Sequence, residues 1–212
     1  MVEITPDLVL RAYASGYFPM AESARSATLL WVDPPQRGII PLDGLHVSRS
    51  LRRLVRRGRF DVTINRAFDR VIGACAEATP GRPETWINQD ILDLYGALHR
   101  RGHAHSVECW DGEDFAGGLY GVSLGGAFFG ESMISRRTDA SKVALVHLVA
   151  QLRVDGYMLL DTQFKTDHLA RLGCVEIPKE DYERRLDTAL TILPQFGAND
   201  RGGELAEILQ PS

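Results

Sequence analysis

GGLYGVSLGGAFFGESMISRRTDASKVALVHLVAQLRVDGYMLLD, residues 117–161, is the stretch that decides the fold of this chain. It begins as a Gly-rich apolar segment, turns at Gly125-Gly126 and returns as an apolar strand crossed by Glu131-Ser132-Met133. Asp139 stands where a helix N-cap belongs, and the apolar spacing after it predicts a helix to about Arg153. A short buried strand, Tyr157 to Asp161, follows, with Gln163 two residues beyond. Glu131, Asp161 and Gln163 therefore stand at the ends of apolar elements, where solvation is poor and a polar group needs a partner or a task.

Working outward, His103 to Trp110 and Asp114 to Leu124 read as strands joined by the hairpin signal Asp111-Gly112, so Ala127 to Ser135 is the third strand of an antiparallel meander. Upstream lie an alternating strand, Phe60 to Ile64, and two helices, Arg66 to Ala76 and Asn88 to Arg101, separated by a loop over residues 79–83. Downstream come a helix from Thr166 to Leu172, a strand from Cys174 to Ile177 and a helix from Lys179 to Leu190. The expected class is α+β, with a mixed, mostly antiparallel sheet flanked by helices across residues 47–192. Residues 1–46 read as a small N-terminal α/β lobe. Its helix is capped by Thr5 and Pro6 and stopped by Gly16, and Tyr17-Phe18-Pro19-Met20 reads as a hydrophobic plug under a turn. A polar loop over 22–28 and short strands at Leu29 to Val32 and Gly38 to Pro41 complete the lobe. Residues 193–212, rich in Gly, Asn and Asp, read as a loose tail.

The chain has 212 residues, 44% apolar and 25% charged, as expected for one domain of ordinary size. Its formal charge of -4 argues against a protein coated uniformly by nucleic acid and leaves room for a local basic patch. SRSLRRLVRRGR, residues 48–59, is such a patch: Arg49, Arg52, Arg53, Arg56, Arg57 and Arg59 crowd a helix with no acid beside them. The planar guanidinium fork matches phosphate oxygens, so the run is a candidate contact for an RNA backbone. No run approaches the ~18 apolar residues of a membrane span. Cys75, Cys109 and Cys174 are widely spaced and point to a reducing, cytoplasmic setting rather than to disulfides or zinc. His103 and His105 share a strand face without a third ligand, and no metal is expected.

The order of elements after residue 60 resembles the fold shared by the GCN5-related N-acetyltransferases, a mixed sheet that splays open to admit an acyl donor. Many of those enzymes cradle the coenzyme A pyrophosphate in a Gly-containing turn that opens a helix. Here that place reads SRRTDASKVAL, which has no glycine and sets Asp139 where the anion would approach. A coenzyme A-dependent N-acetyltransferase is thus the disfavoured alternative. A noncatalytic tRNA-binding protein is a second alternative, and it leaves Glu131, Asp161 and Gln163 without a role.

Eight segments carry a more specific resemblance: AYASGYFPM, LHVSRSLRR, TWINQDILDLY, GHAHSVECW, GGLYGVSLGGAFFGESMISR, DASKVAL, LLDTQF and HLARLGCVEIP. Together, in this order from about residue 5 to 186, they resemble the leucyl/phenylalanyl-tRNA–protein transferase family. The resemblance implies transfer of Leu or Phe from aminoacyl-tRNA to the N-terminal Arg or Lys of an acceptor protein, which creates an N-degron; since one methylene discriminates weakly, some acceptance of Met is expected as well. It implies no cofactor, since the ester is already activated; a monomer that needs no membrane is expected. Trp86 and Tyr95 match positions near the 3′-terminal aminoacyl-adenosine. Leu119 and Phe128 match the apolar amino-acid pocket, with Met133 a neighbour by spacing. Glu131 matches the glutamate associated with the substrate amino group, and Asp161 and Gln163 match the DxQ pair proposed to assist catalysis. The Arg49 to Arg59 run falls where the family has basic residues for tRNA. Met20 stands where the family often has Trp, so adenine stacking there would pass to a thioether. The chain also starts close to its first helix, where longer members have a preceding segment.

Overall fold

The structure is a computed structural model and describes residues 4–21, 23, 26, 29–78 and 85–210. The loop expected over 22–28 is described only at Ser23 and Ser26, and the loop over 79–83 lies outside the described residues. In chain order the elements are α1 (Pro6–Ala14), β1 (Phe18–Ala21), β2 (Leu29–Val32), β3 (Gln36–Ile39), α2 (Arg49–Arg56), β4 (Asp61–Ile64), α3 (Phe68–Ala76) and α4 (Gln89–Arg100). They continue as β5 (Ala104–Asp111), β6 (Asp114–Leu124), β7 (Ala127–Ser135), α5 (Ala140–Val154), β8 (Leu159–Gln163), α6 (Asp167–Ala170), β9 (Val175–Pro178), α7 (Lys179–Leu190) and α8 (Gly202–Ile208).

β4, β5, β6, β7, β8, β3 and β9 lie side by side in that order in one mixed sheet, and β1 pairs with β2 apart from it. β7 and β8 run parallel; every other neighbouring pair in the sheet is antiparallel. This is the expected α+β class. The period-2 alternation of strand side chains sends Leu119, Phe128 and Leu160 to one face and Tyr120, Phe129 and Leu159 to the other. The first face is covered by α5 with α2 and α8, the second by α1, α3, α4 and α7. Helix α5 is apolar almost all round because it lies between the sheet and two other helices. The turn from β6 to β7 depends on Gly125, which has φ +54° and would set a Cβ 2.8 Å from the Cα of Leu190.

Four expectations need correction. The expected boundary after residue 46 does not divide the sheet, because β3 is inserted between β8 and β9. Phe18 to Ala21 form a strand rather than a plug under a turn, with Phe18 opposite Val32 and Met20 opposite Leu30. Pro19 is tolerated there because a two-stranded ribbon is all edge. The tail is docked: Phe196 packs 5.3 Å from the Phe128 ring, Leu209 is buried, and Asp155 accepts hydrogen bonds from the Gly197 and Asn199 amides. Two apolar anchors outweigh a polar composition. Finally, Asp139 does not cap α5 with its side chain. It sits at φ +65° with its carboxylate on Lys142 Nζ at 2.6 Å, and the Ser135 hydroxyl accepts the Ser141 amide instead.

Candidate active site

β7 pairs with β8 only from Ala127 to Phe129, opposite Leu159 to Asp161. Beyond this the two strands part, and β7 carries Gly130, Glu131, Ser132 and Met133 along one side of a wedge while β8 carries Thr162 and Gln163 along the other. A cavity of about 100 Å³ lies in the wedge. Its walls are Leu119, Met133, Leu145, Leu148, Leu160 and Leu169, and Glu131, Thr162 and Gln163 stand among them as polar groups. An apolar cavity of about 150 Å³ holds a benzene ring, so this one suits a leucine-sized side chain and a larger one after small adjustments.

Asp161 does not face the cavity as a free carboxylate. It is fully buried, and Arg37 of β3 grips it with Nε at 3.0 Å from Oδ1 and a terminal guanidinium nitrogen at 2.6 Å from Oδ2. Tyr182 Oη of α7 donates to Oδ2 at 2.7 Å, and the Gln163 amide donates to Oδ1 at 2.7 Å. Arg37 lies between the rings of Phe18, 4.6 Å away, and Tyr182, 4.4 Å away, and gives its remaining fork nitrogen to the Gly16 carbonyl at 2.8 Å. Burial works against the Arg37 charge, but Asp161 more than restores it and leaves the guanidinium pKa above its usual value. A carboxylate so fully occupied holds its neighbours in place.

What it positions is Gln163. This residue holds φ +59°, a left-handed conformation that non-glycine residues adopt at a cost, and the Asp161 carboxylate pins its amide there. The side chain then reaches across the wedge, and Nε2 donates to Glu131 Oε1 at 3.3 Å. With the amide nitrogen used, the side-chain carbonyl oxygen remains as an acceptor.

Glu131 has two further partners from the opposite face of the sheet. Tyr13 Oη donates to Oε1 at 2.7 Å and Tyr95 Oη to Oε2 at 3.0 Å, while the two phenol oxygens lie 2.6 Å apart. Two phenol protons thus serve three oxygen–oxygen contacts, and a proton on Glu131 would complete the ring. Burial pushes the Glu131 carboxyl up to about 7, against the pull of the Tyr13 and Tyr95 hydroxyls. Burial, followed by the Glu131 charge, raises both phenols well above the ordinary tyrosine range.

The sequence-predicted residues therefore fall into three groups. Glu131, Asp161, Gln163, Tyr95, Leu119 and Met133 meet at the wedge. Phe128 lies behind it, fully buried in the cluster that holds the cavity leucines. Trp86 and Met20 pack half-buried against the cluster of Tyr13 and Tyr95, on the other face of the sheet. Of the arginines, Arg49, Arg53 and Arg57 are exposed and form no ion pair among the described residues. Arg52 is half-buried, Arg56 donates to the Leu209 carbonyl at 2.6 Å, and Arg59 is held by Asp111 at 2.5 Å. Sequence reasoning missed Arg37, Tyr13 and Tyr182. Tyr13 gave a faint signal, an inward-facing tyrosine on an apolar helix, whose buried hydroxyl needs a partner.

Two family models match the chain: leucyl/phenylalanyl-tRNA protein transferase over residues 39–187, and the N-terminal domain of the same transferase over residues 2–35. This chain belongs to the leucyl/phenylalanyl-tRNA protein transferase family. It is an aminoacyltransferase by that membership, and the gap between the two matches, residues 36–38, falls on β3 and includes Arg37. Curated relatives called leucyl/phenylalanyl-tRNA–protein transferase include one from Gluconobacter oxydans, 62% identical over 91% of this chain and 85% of its own length. Others are from Afipia carboxidovorans and Rhodopseudomonas palustris, each 59% identical over 92% of this chain and covering 86% and 88% of their own lengths. The solved structure of L-PGS from Bacillus licheniformis superposes with a TM-score of 0.42 at 15% identity, over 74% of this chain and 53% of that one. The three cysteines are buried and not joined by a disulfide, and among the described residues no helix of this transferase is long and apolar enough to cross a membrane.

Proposed function

We propose that this chain transfers Leu or Phe, and to a lesser degree Met, from aminoacyl-tRNA to the N-terminal Arg or Lys of an acceptor protein, making the peptide bond of an N-degron. The observation that carries this reading is the apolar wedge cavity with Glu131 and Gln163 on its wall. The donor side chain enters the leucine-lined space, where leaving water contributes roughly 1.5–3 kcal/mol. Because one methylene discriminates weakly, Leu, Phe and Met all fit the same chemistry. The opening between β7 and β8 is of the kind through which GCN5-related acyltransferases admit their acyl donors, and we assign this chain to that architecture. We take the chain to act as a monomer in the cytoplasm.

The ester carbonyl lies beside Gln163. An incoming ammonium gives one proton to ionised Glu131, where that proton completes the ring with Tyr13 and Tyr95. A terminal amine has a reference pKa of about 7.7–8.0, so this transfer to a group near 7 is close to balanced. The neutral amine attacks the carbonyl carbon, with one N–H held by the Gln163 carbonyl oxygen. As the C–N bond forms and the ester C–O bond breaks, the second amine proton passes to the departing ribose oxygen. Glu131 then returns its proton to solvent. Asp161 acts throughout as a positioning residue, fixing Gln163 through the backbone. Placing ester and amine together supplies several further kcal/mol.

The test is incubation with labelled leucyl-tRNA and an Arg-starting peptide. The expected product is the leucylated peptide, with none from the same peptide blocked at its N-terminus. Tight binding of charged tRNA without transfer would leave a noncatalytic tRNA-binding protein, and acetylation from acetyl-coenzyme A would restore the acetyltransferase reading.

A further inference from the structure

A second cavity, of about 200 Å³, lies beside the wedge and is lined by His46, Ser48, Leu51, Lys142, His168, Arg171 and Leu172. It shares two elements with the wedge. Helix α6 turns Leu169 into the leucine-lined space and sends His168, with Arg171 just past its end, to the second cavity. Helix α5 gives Leu145 and Leu148 to the first and Lys142, one turn earlier, to the second. The third wall is the start of α2, the helix that carries the exposed Arg49 and Arg53.

The cationic groups converge. Burial lowers the His168 pKa, and the Lys142 and Arg171 charges lower it further, so both bear on one ring. Two acids oppose them. Asp139 bonds Lys142 at 2.6 Å, and Asp167 is exposed in the first turn of α6. Arg171 is exposed and forms no ion pair among the described residues. A site built from an ammonium, a guanidinium, an imidazole and a serine hydroxyl is chemically suited to a phosphate group. It stands between the aminoacyl cavity, with which it shares α5 and α6, and the arginines of α2.

We propose that Lys142, His168 and Arg171 form a seat for a backbone phosphodiester in the single-stranded 3′ end of the donor RNA, holding the strand between the aminoacyl cavity and α2. This rests on the aminoacyl-tRNA reading. Asp139 moderates the seat by holding Lys142 when no strand is bound.

Two donors separate the outcomes: leucyl-tRNA, and leucyl-adenosine, which has no phosphodiester. Transfer to an Arg-starting peptide is measured with each for the full chain, Lys142→Gln, Arg171→Gln and Asp139→Asn. We expect each cation-removing change to raise KM for leucyl-tRNA about tenfold. The slope of log KM against log salt should fall by roughly 0.7 for the lost single-strand contact. Leucyl-adenosine should be used as by the unaltered chain. Asp139→Asn, which keeps a residue tolerant of the left-handed backbone, should lower KM for leucyl-tRNA. The proposal is overturned by equal losses on both donors, by no loss on leucyl-tRNA, or by a loss with an unchanged salt slope. If the unaltered chain transfers leucine from neither donor, the aminoacyltransferase reading fails instead.

Discussion

Arg37 holds Asp161 from a strand 124 residues away, and that grip joins the first forty residues to the end of β8. Removing one partner of a buried ion pair strands the other charge, at a cost of about 3–5 kcal/mol. Arg37→Met should therefore lower unfolding stability by that amount in urea titrations. Arg37→Lys should recover little of it, because a single ammonium cannot span both carboxylate oxygens and the Gly16 carbonyl together. Wild-type stability in Arg37→Lys would show that the fork geometry is immaterial.

Gln163 tests whether the left-handed backbone serves the reaction. Glycine adopts φ +59° without steric penalty, so Gln163→Gly should keep stability or gain up to about 1 kcal/mol. Transfer should nonetheless fall about 100-fold, as when an electrostatic donor or acceptor at a reacting carbonyl is lost. A variant that is both stable and active would remove the side chain from the mechanism.

Glu131 gives a pH signature. Its carboxyl titrates near 7 when folded, against an ordinary value of 4.5. The folded state prefers the neutral acid, so its stabilising contribution is complete below the unfolded value and is lost as pH rises through about 7. Glu131→Gln keeps a neutral group there. Its melting temperature should vary less than that of the unaltered chain between about pH 5 and about pH 8. In single-turnover assays the limb near 7 should vanish from the rate profile, leaving that of the amine. An unchanged profile would assign the proton elsewhere.

Leu119 forms part of the cavity wall. Leu119→Ala should enlarge the space and shift the ratio of kcat/KM for Phe over Leu donors about tenfold toward Phe. The cost in stability should be about 2–5 kcal/mol, read from thermal melts. Competition between leucyl- and phenylalanyl-tRNA measures the ratio, and an unaltered ratio would place the donor side chain outside this cavity.

Much of this was legible in local pattern. β6, β7 and α7 fall where alternation, turn residues and helical spacing set them. Glu131, Asp161 and Gln163 stood out as polar groups ending apolar runs. What could not be read was the partner of each. Tyr13 lies 118 residues from Glu131, and Arg37 faces Asp161 only because β3 crosses into a sheet built from the other end of the chain. Such pairings leave no periodic trace. Nor did composition reveal that Phe196 and Leu209 would anchor residues 193–210, since two apolar side chains scarcely change the polarity of that segment.

The placement of β3 also bears on synthesis. As the nascent chain leaves the ribosome, its first forty residues must wait for a strand and a helix made more than a hundred residues later before Arg37, Asp161 and Tyr182 can meet. Long-range pairing of this sort slows folding and leaves edges exposed meanwhile. A truncated product ending before α7 lacks Tyr182, so a translation cut short leaves the Asp161 carboxylate without one of its partners and the junction between the two ends of the chain unfinished.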